Sequence, residues 1–215
     1  MKKLLLIIFF AGSQLPTFCQ HSLTLSEQNA ISGTNKQLIR FFGEDQFQKN
    51  IVLDTLDVRA FQKTNGRKYW DKVSDSTKNI AYNILYFVTQ SIDTVAYILF
   101  TADKNGNPVI GWQGLDVGSK PENFIGIKKL LDNKFQIDYR KALDFGHKRG
   151  LMVKPYLDCE TVHEYKIVGN EYFVKTIYYW NFSEIKNRYT HIHILLDAET
   201  GKILLDEESQ DMVGE

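Results

Sequence analysis

The chain has 215 residues, of which 43% are hydrophobic, and its 26 basic side chains balance 26 acidic ones. This balance lacks the positive excess typical of nucleic-acid binding proteins. The length and apolar content suit one large or two small folded domains.

Residues 1–19 have the pattern of an export signal. Two lysines precede an apolar run at 4–10, which is far shorter than the roughly 20 residues of a membrane-spanning helix. Small residues before Gln20 predict cleavage there, and the mature chain would then carry 24 basic and 26 acidic side chains because those two lysines are lost. Bulky Phe18 before Cys19 departs from a lipoprotein signal. We therefore predict an exported protein, periplasmic or secreted, without a lipid anchor.

Cleavage leaves Cys159 as the one remaining cysteine, which excludes an internal disulfide. The core itself must then stabilise an exported fold. We interpret the thiol as a small buried apolar group. A nucleophilic cysteine would need a histidine and an orienting group in space, and His163 is the histidine that lies near it in sequence.

The first half, 20–118, is predicted to be an α+β unit. After a loose polar leader at 20–33, Thr34 and Gln37 have the Thr-x-x-Gln spacing of a capping box. The pattern predicts a helix that begins there and is broken at Gly43.

Strands are predicted in the remainder of that half. Short candidates at 51–53 and 68–70 flank an Asn-Gly turn. Segments 80–90 and 94–101 are rich in β-branched and aromatic residues and are predicted to be long strands, and 109–114 returns as another after a glycine turn.

A connecting helix is predicted within 119–135. Ser119 and Glu122 form a second capping box, Pro121 stands at an early helical position, and an apolar stripe follows.

The second half, 136–215, is predicted to be a helix followed by an antiparallel meander. Asp138 can cap a helix that runs to about Arg149 and ends at Gly150. Because the first half has a similar order, we hypothesise a duplication. The strands are predicted at 162–168, 171–182, 189–197 and 202–206.

Residues 138–205 resemble the PepSY-like domains of exported bacterial proteins. The resemblance rests on the helix "DYRKALDFGHKRG" and on the hairpin "ILLDAETGKIL". It implies a cystatin-like fold, in which a helix packs on a curled antiparallel sheet, and a role in peptidase inhibition or envelope regulation. It supplies no catalytic residue and no cofactor. The predicted fold class is therefore α+β, with a helix packed on an antiparallel β-meander, in two such halves.

A metal site is the first candidate for chemistry. Residues two apart in a strand share a face, so His191 and His193 point to one side and could chelate zinc or copper. A metal site needs a third ligand, for which His163 with Glu164 on a neighbouring strand is the candidate. The competing interpretation is two ordinary histidines on the outer face of a sheet, whose other face meets the helix.

Aromatic strand residues are the second candidate. The segments around 80–90 and 171–182 carry large side chains on both faces, whereas a sheet with one solvated face alternates more cleanly. Tyrosine and tryptophan suit interfaces. We predict that Tyr97, Tyr178 and Trp180 lie near a binding groove or interface. The competing interpretation is an ordinary core with scattered exposed tyrosines.

These observations favour a non-catalytic function. We expect a peptide- or protein-binding protein of the cell envelope, inhibitor-like or regulatory, with no cofactor, no nucleic-acid partner and no transmembrane segment in the mature chain. A metal-dependent hydrolase that uses the strand histidines and a purely structural interaction module are the alternatives.

Overall fold

The structure is a computed structural model, and it describes most of the chain after the predicted signal segment. The described residues are 23–55, 58–64, 67–69, 80–109, 121–166, 171–187 and 190–210. The signal segment 1–19, most of the predicted strand 109–114 and the Asn-Gly turn after Thr64 lie outside them. None of the helices in these ranges combines the length and apolar character needed to cross a membrane.

The first helix begins earlier than the sequence pattern predicts. Helix α1 (Leu25–Phe42) follows Thr24, whose Oγ1 accepts the N–H of Glu27 at 3.2 Å while Glu27 Oε2 accepts the N–H of Thr24 at 2.7 Å. This reciprocal pair is the true capping box. The predicted cap, Thr34, is wrong, because Thr34 lies fully buried in mid-helix. The predicted loose leader is likewise helical from its sixth residue onward.

The break in the helix is confirmed. Helix α1 ends at Phe42, and helix α2 (Glu44–Asn50) starts immediately after Gly43.

An antiparallel sheet of five strands follows. Strand β4 is central, with β5 on one side, β1 and β2 on the other, and β3 outside β2. The predicted long strands are confirmed. The strands are β1 (Ile51–Leu53), β2 (Arg59–Thr64), β3 (Arg67–Tyr69), β4 (Ile80–Gln90) and β5 (Asp93–Ala102).

The connecting helix and the second half, which has one helix and a meander, follow. The predicted connecting helix is α3 (Pro121–Leu131), and the capped helix is α4 (Tyr139–Lys148), where Asp138 Oδ1 accepts the N–H of Lys141 at 2.9 Å. Four antiparallel strands then pair in chain order. They are β6 (Tyr156–Lys166), β7 (Glu171–Asn187), β8 (Thr190–Asp197) and β9 (Ile203–Gln210).

The α+β class with antiparallel sheets is thus confirmed. The second sheet is a meander behind a helix, whereas in the first sheet β2 lies between β3 and β4. The duplication and the cystatin-like assignment stay hypotheses, since both halves start with a helix but order their strands differently.

Buried residues of both halves form one contiguous core. The helices pack on the buried faces of the two sheets through aromatic pairs, with ring centroids 6.1 Å apart between Phe124 of α3 and Phe100 of β5, and 5.7 Å apart between Phe145 of α4 and Phe182 of β7. Ring pairs at these distances add to the burial of their apolar area. The two sheets therefore share a single apolar interior.

Helix α1 also touches the turn after β5, and there the two backbones meet. A Cβ atom on Gly33 would lie 1.9 Å from the carbonyl oxygen of Asn105, and one on Gly106 would lie 2.3 Å from the Cα of Gly33. Asp103 shapes the turn, since its Oδ1 accepts the N–H groups of Asn105 and Asn107 at 2.8 and 2.9 Å. Only glycine fits at both contact positions.

Candidate functional site

The candidate site lies where the two sheets meet, at the neighbouring strands β5 and β6. Lys154, just before β6, forms an ion pair with Asp93, the first residue of β5, and Tyr139 donates its hydroxyl to the same carboxylate at 2.9 Å. Further along, the rings of Tyr97 and Tyr156 meet edge to face with centroids 5.9 Å apart. The two strands thus start together and run in the same direction, but no ladder joins them in the described parts of the chain.

A cleft opens at this seam. Helix α3 contacts both strands, and the space between the three elements is about 270 Å³, including its open mouth. Aromatic, polar and aliphatic side chains line the cleft together with one glycine. The lining residues are Tyr97, Asn123, Gly126, Ile127, Leu157, Asp158, Cys159 and Tyr178.

Tyr178 forms a fixed wall of the cleft. Its side chain is 5% exposed, and its ring lies against Gly126, where a Cβ atom would come within 2.4 Å of Cε1. The hydroxyl donates to the backbone carbonyl of Glu122 at 3.3 Å. Burial, helped by Cys159, Glu199 and Glu122, raises the pKa of the phenol, so it stays a protonated donor.

Tyr97 lines the same cleft on the side that is open to solvent. The residue is 47% exposed, and its ring is supported at the edge by Phe87 at a centroid distance of 5.8 Å. An aromatic ring that is held in place yet exposed loses little freedom when it binds a partner.

The polar groups of the cleft are tied to one another. Asp158 Oδ1 accepts the N–H of Cys159 at 2.8 Å, which orients the carboxylate, and the Cys159 thiol donates to Asn123 Oδ1 at 2.7 Å. The thiol is half-buried rather than enclosed in the core as predicted.

Trp180 does not line the cleft, so its prediction as a binding residue is corrected. The side chain is 0% exposed, its ring packs on Tyr139 with centroids 5.8 Å apart, and Nε1 donates to the carbonyl of Ile137 at 2.7 Å. It belongs to the core beneath α4.

The strand histidines share one face, as predicted. His191 and His193 are partly exposed, whereas Ile192, Ile194 and Leu196 on the opposite face are buried. Among the described residues, no group of three or more His, Cys, Asp or Glu side chains is arranged to hold a metal ion.

His163 cannot supplement them, and that prediction is wrong. Strand β7 separates β6 from β8, with His163 opposite Val174 and His191 opposite Ile185. These two β7 residues are about 11 positions apart, or roughly 35 Å at the usual rise of a strand. The register therefore keeps His163 away from the pair.

Sequence reasoning named two residues that line this cleft, Tyr97 and Tyr178, but not Asp158, Asn123 or Gly126. One signal was present, because a glycine inside the apolar stripe of a predicted helix usually has a packing reason. No sequence pattern singles out Asp158 or Asn123, because only the packing of α3 on β6 brings them together.

Comparison with protein-family models, with curated proteins and with solved structures gave no match to this chain. The PepSY-like assignment of 138–205 stays a prediction from the sequence.

Proposed function

We propose that this protein is an exported, non-catalytic binding protein that holds a segment of a peptide or protein partner in the cleft between β5 and β6. The observation that carries the proposal is the pair of tyrosines on this cleft, with Tyr178 fixed in the wall and Tyr97 exposed and supported. Exposed, preorganised tyrosines beside a concave surface are typical of recognition sites.

The chemistry of the cleft supports binding over catalysis. The Cys159 thiol donates to the amide oxygen of Asn123, and this contact ties β6 to α3 at the cleft. The Tyr178 hydroxyl is held by a backbone carbonyl and its raised pKa keeps it neutral. Both groups serve the architecture of the cleft.

The cellular role follows from the N-terminal sequence and from the family resemblance. A signal segment at 1–19 directs the chain to the envelope or the medium. The PepSY-like motifs favour an inhibitor-like or regulatory role there, with a peptidase or another envelope protein as the partner.

The test is a selection of binding peptides from a random displayed library on the purified full chain. We expect the selected peptides to bind Tyr97→Ala about tenfold or more weakly, because a central aromatic anchor of an interface contributes about 2 kcal/mol. Ile185→Ala is the matched control, since Ile185 is an apolar side chain, 68% exposed, on the far end of β7.

Selected peptides that bind Tyr97→Ala as tightly as the native protein would refute the cleft as the site. Equal losses of peptide affinity in Tyr97→Ala and Ile185→Ala would show that exposed apolar side chains bind the peptides nonspecifically, and would also refute the cleft as the site. Circular dichroism of each variant confirms that the fold is retained.

A further inference from the structure

We propose that the group seated in the cleft is the cationic end of a lysine or arginine side chain of the partner. The inference rests on the proposed function and names the chemistry of the anchor. It follows from an unused carboxylate oxygen, from the aromatic walls and from the charge around the cleft.

The carboxylate is Asp158. Its Oδ1 is fixed by the N–H of Cys159 at 2.8 Å, while no donor from the described residues reaches Oδ2. Nor does any lysine or arginine within those residues form an ion pair with it. An oriented carboxylate that faces a cleft with one oxygen available favours a charged donor from outside.

The walls suit a cation as well. Aromatic faces attract ammonium and guanidinium groups, and this region already shows such a contact, since Lys129 Nζ lies 4.8 Å from the ring centroid of Tyr178. Tyr97 offers a second ring beside Asp158 in the same cleft. The aliphatic stem of a lysine or arginine can pack on Ile127 and Leu157, which also line it.

The local charge is complementary to a cation. Lys129, a basic residue beside the cleft, forms an ion pair with Glu199 at 2.8 Å. Among the described residues around the cleft, Asp158 and Glu122 then leave a negative charge, and Glu122 lies close enough to raise the pKa of Tyr178. An anionic anchor would meet repulsion here, and a neutral aliphatic one would offer no donor to Asp158 Oδ2.

The experiment uses three short blocked peptides that differ only in a central lysine, norleucine or glutamate, titrated into the purified full chain. Norleucine keeps the aliphatic stem and removes the charge. We expect the lysine peptide to bind about tenfold more tightly than the norleucine peptide, as for a charge-assisted hydrogen bond, and the glutamate peptide to bind weakest.

Two variants locate the preference. Asp158→Asn keeps the Oδ1 acceptor for Cys159 and should abolish the discrimination between lysine and norleucine. Glu160→Gln, two residues along the same strand and exposed, makes the same change in charge and should preserve it. A preference that survives in Asp158→Asn, or that is lost equally in both variants, would overturn the proposal.

The two proposals fail in different ways. If the peptides bind in a manner that depends on Tyr97 but without preference for lysine, the cationic anchor is refuted and the cleft stands as a binding site. If none of the three binds, the anchor is refuted. The library selection with Tyr97→Ala then decides separately whether the cleft binds peptides at all.

Discussion

The contact between Gly126 and Tyr178 sets the shape of the cleft, and Gly126→Ala tests it. In an ordinary helix this change is stabilising by about 1 kcal/mol, because alanine has the higher helix propensity. Here the new methyl group would lie 2.4 Å from Cε1 and 2.6 Å from Cδ1 of Tyr178. The ring is buried and backed by Phe135, with centroids 5.6 Å apart, so it cannot move aside freely.

Overpacking of this kind costs about 1–3 kcal/mol, which outweighs the gain in propensity. We therefore expect Gly126→Ala to lower the free energy of unfolding by about 1 kcal/mol, measured by urea denaturation followed by circular dichroism. Ile125→Ala, at an exposed neighbouring position of α3, is the control and should change stability by about 0.5 kcal/mol or less.

A double-mutant cycle identifies the cause. In a Tyr178→Leu background the colliding ring atoms are gone, and Gly126→Ala should become neutral or stabilising. The reasoning is refuted if Gly126→Ala is as stable as the native protein, or if its cost is the same in both backgrounds.

Two further predictions concern the seam and the first helix. Hydrogen bonds from Lys154 and Tyr139 lower the pKa of Asp93, so its ionised form stabilises the fold above the unfolded-state pKa of about 4, and this contribution is lost as the pH falls through the lowered value. The difference in unfolding midpoint between the native protein and Asp93→Asn should therefore be largest at neutral pH and shrink below about pH 4; a constant difference would contradict it. Thr34→Val removes a buried hydroxyl that has no hydrogen-bond partner among the described residues, and thermal unfolding should show equal stability or a gain of up to about 1 kcal/mol. A clear loss of stability would show that the hydroxyl is in use.

Local signals predicted most of the fold. The β-branched and aromatic run at 80–90 coincides with β4, and the cap at Asp138 begins α4 where expected. The start of α1 was misplaced because two capping-box patterns compete. The pattern at Thr24 prevails since Ala30 and Ile31 then join the buried stripe, which a start at Thr34 would leave outside.

The site could be predicted only in part, because burial along a strand depends on which helix lies above each residue. Tyr178 and Trp180 share a face of β7, yet Tyr178 meets Gly126 of α3 at the open seam and Trp180 lies under Tyr139 of α4. Strand periodicity gives the face but not the covering element.

The distance between the candidate histidines could not be predicted from the sequence either, because it depends on strand order. His163 and His191 both lie in the second sheet, but the pairing register that separates them by the length of β7 is set by tertiary contacts. A pattern of ligand types in the sequence therefore could not settle whether they meet.

The contact between Gly33 and Gly106 constrains how this chain can diverge. Glycine is already the smallest residue, so a change at one position cannot create room for a side chain at the other. As the sequence diverges, both glycines must be retained, or the packing of the helix on the turn is lost. A glycine in the first helix paired with one in the turn after the long hairpin is thus a marker by which remote relatives can be recognised after their exposed residues have changed.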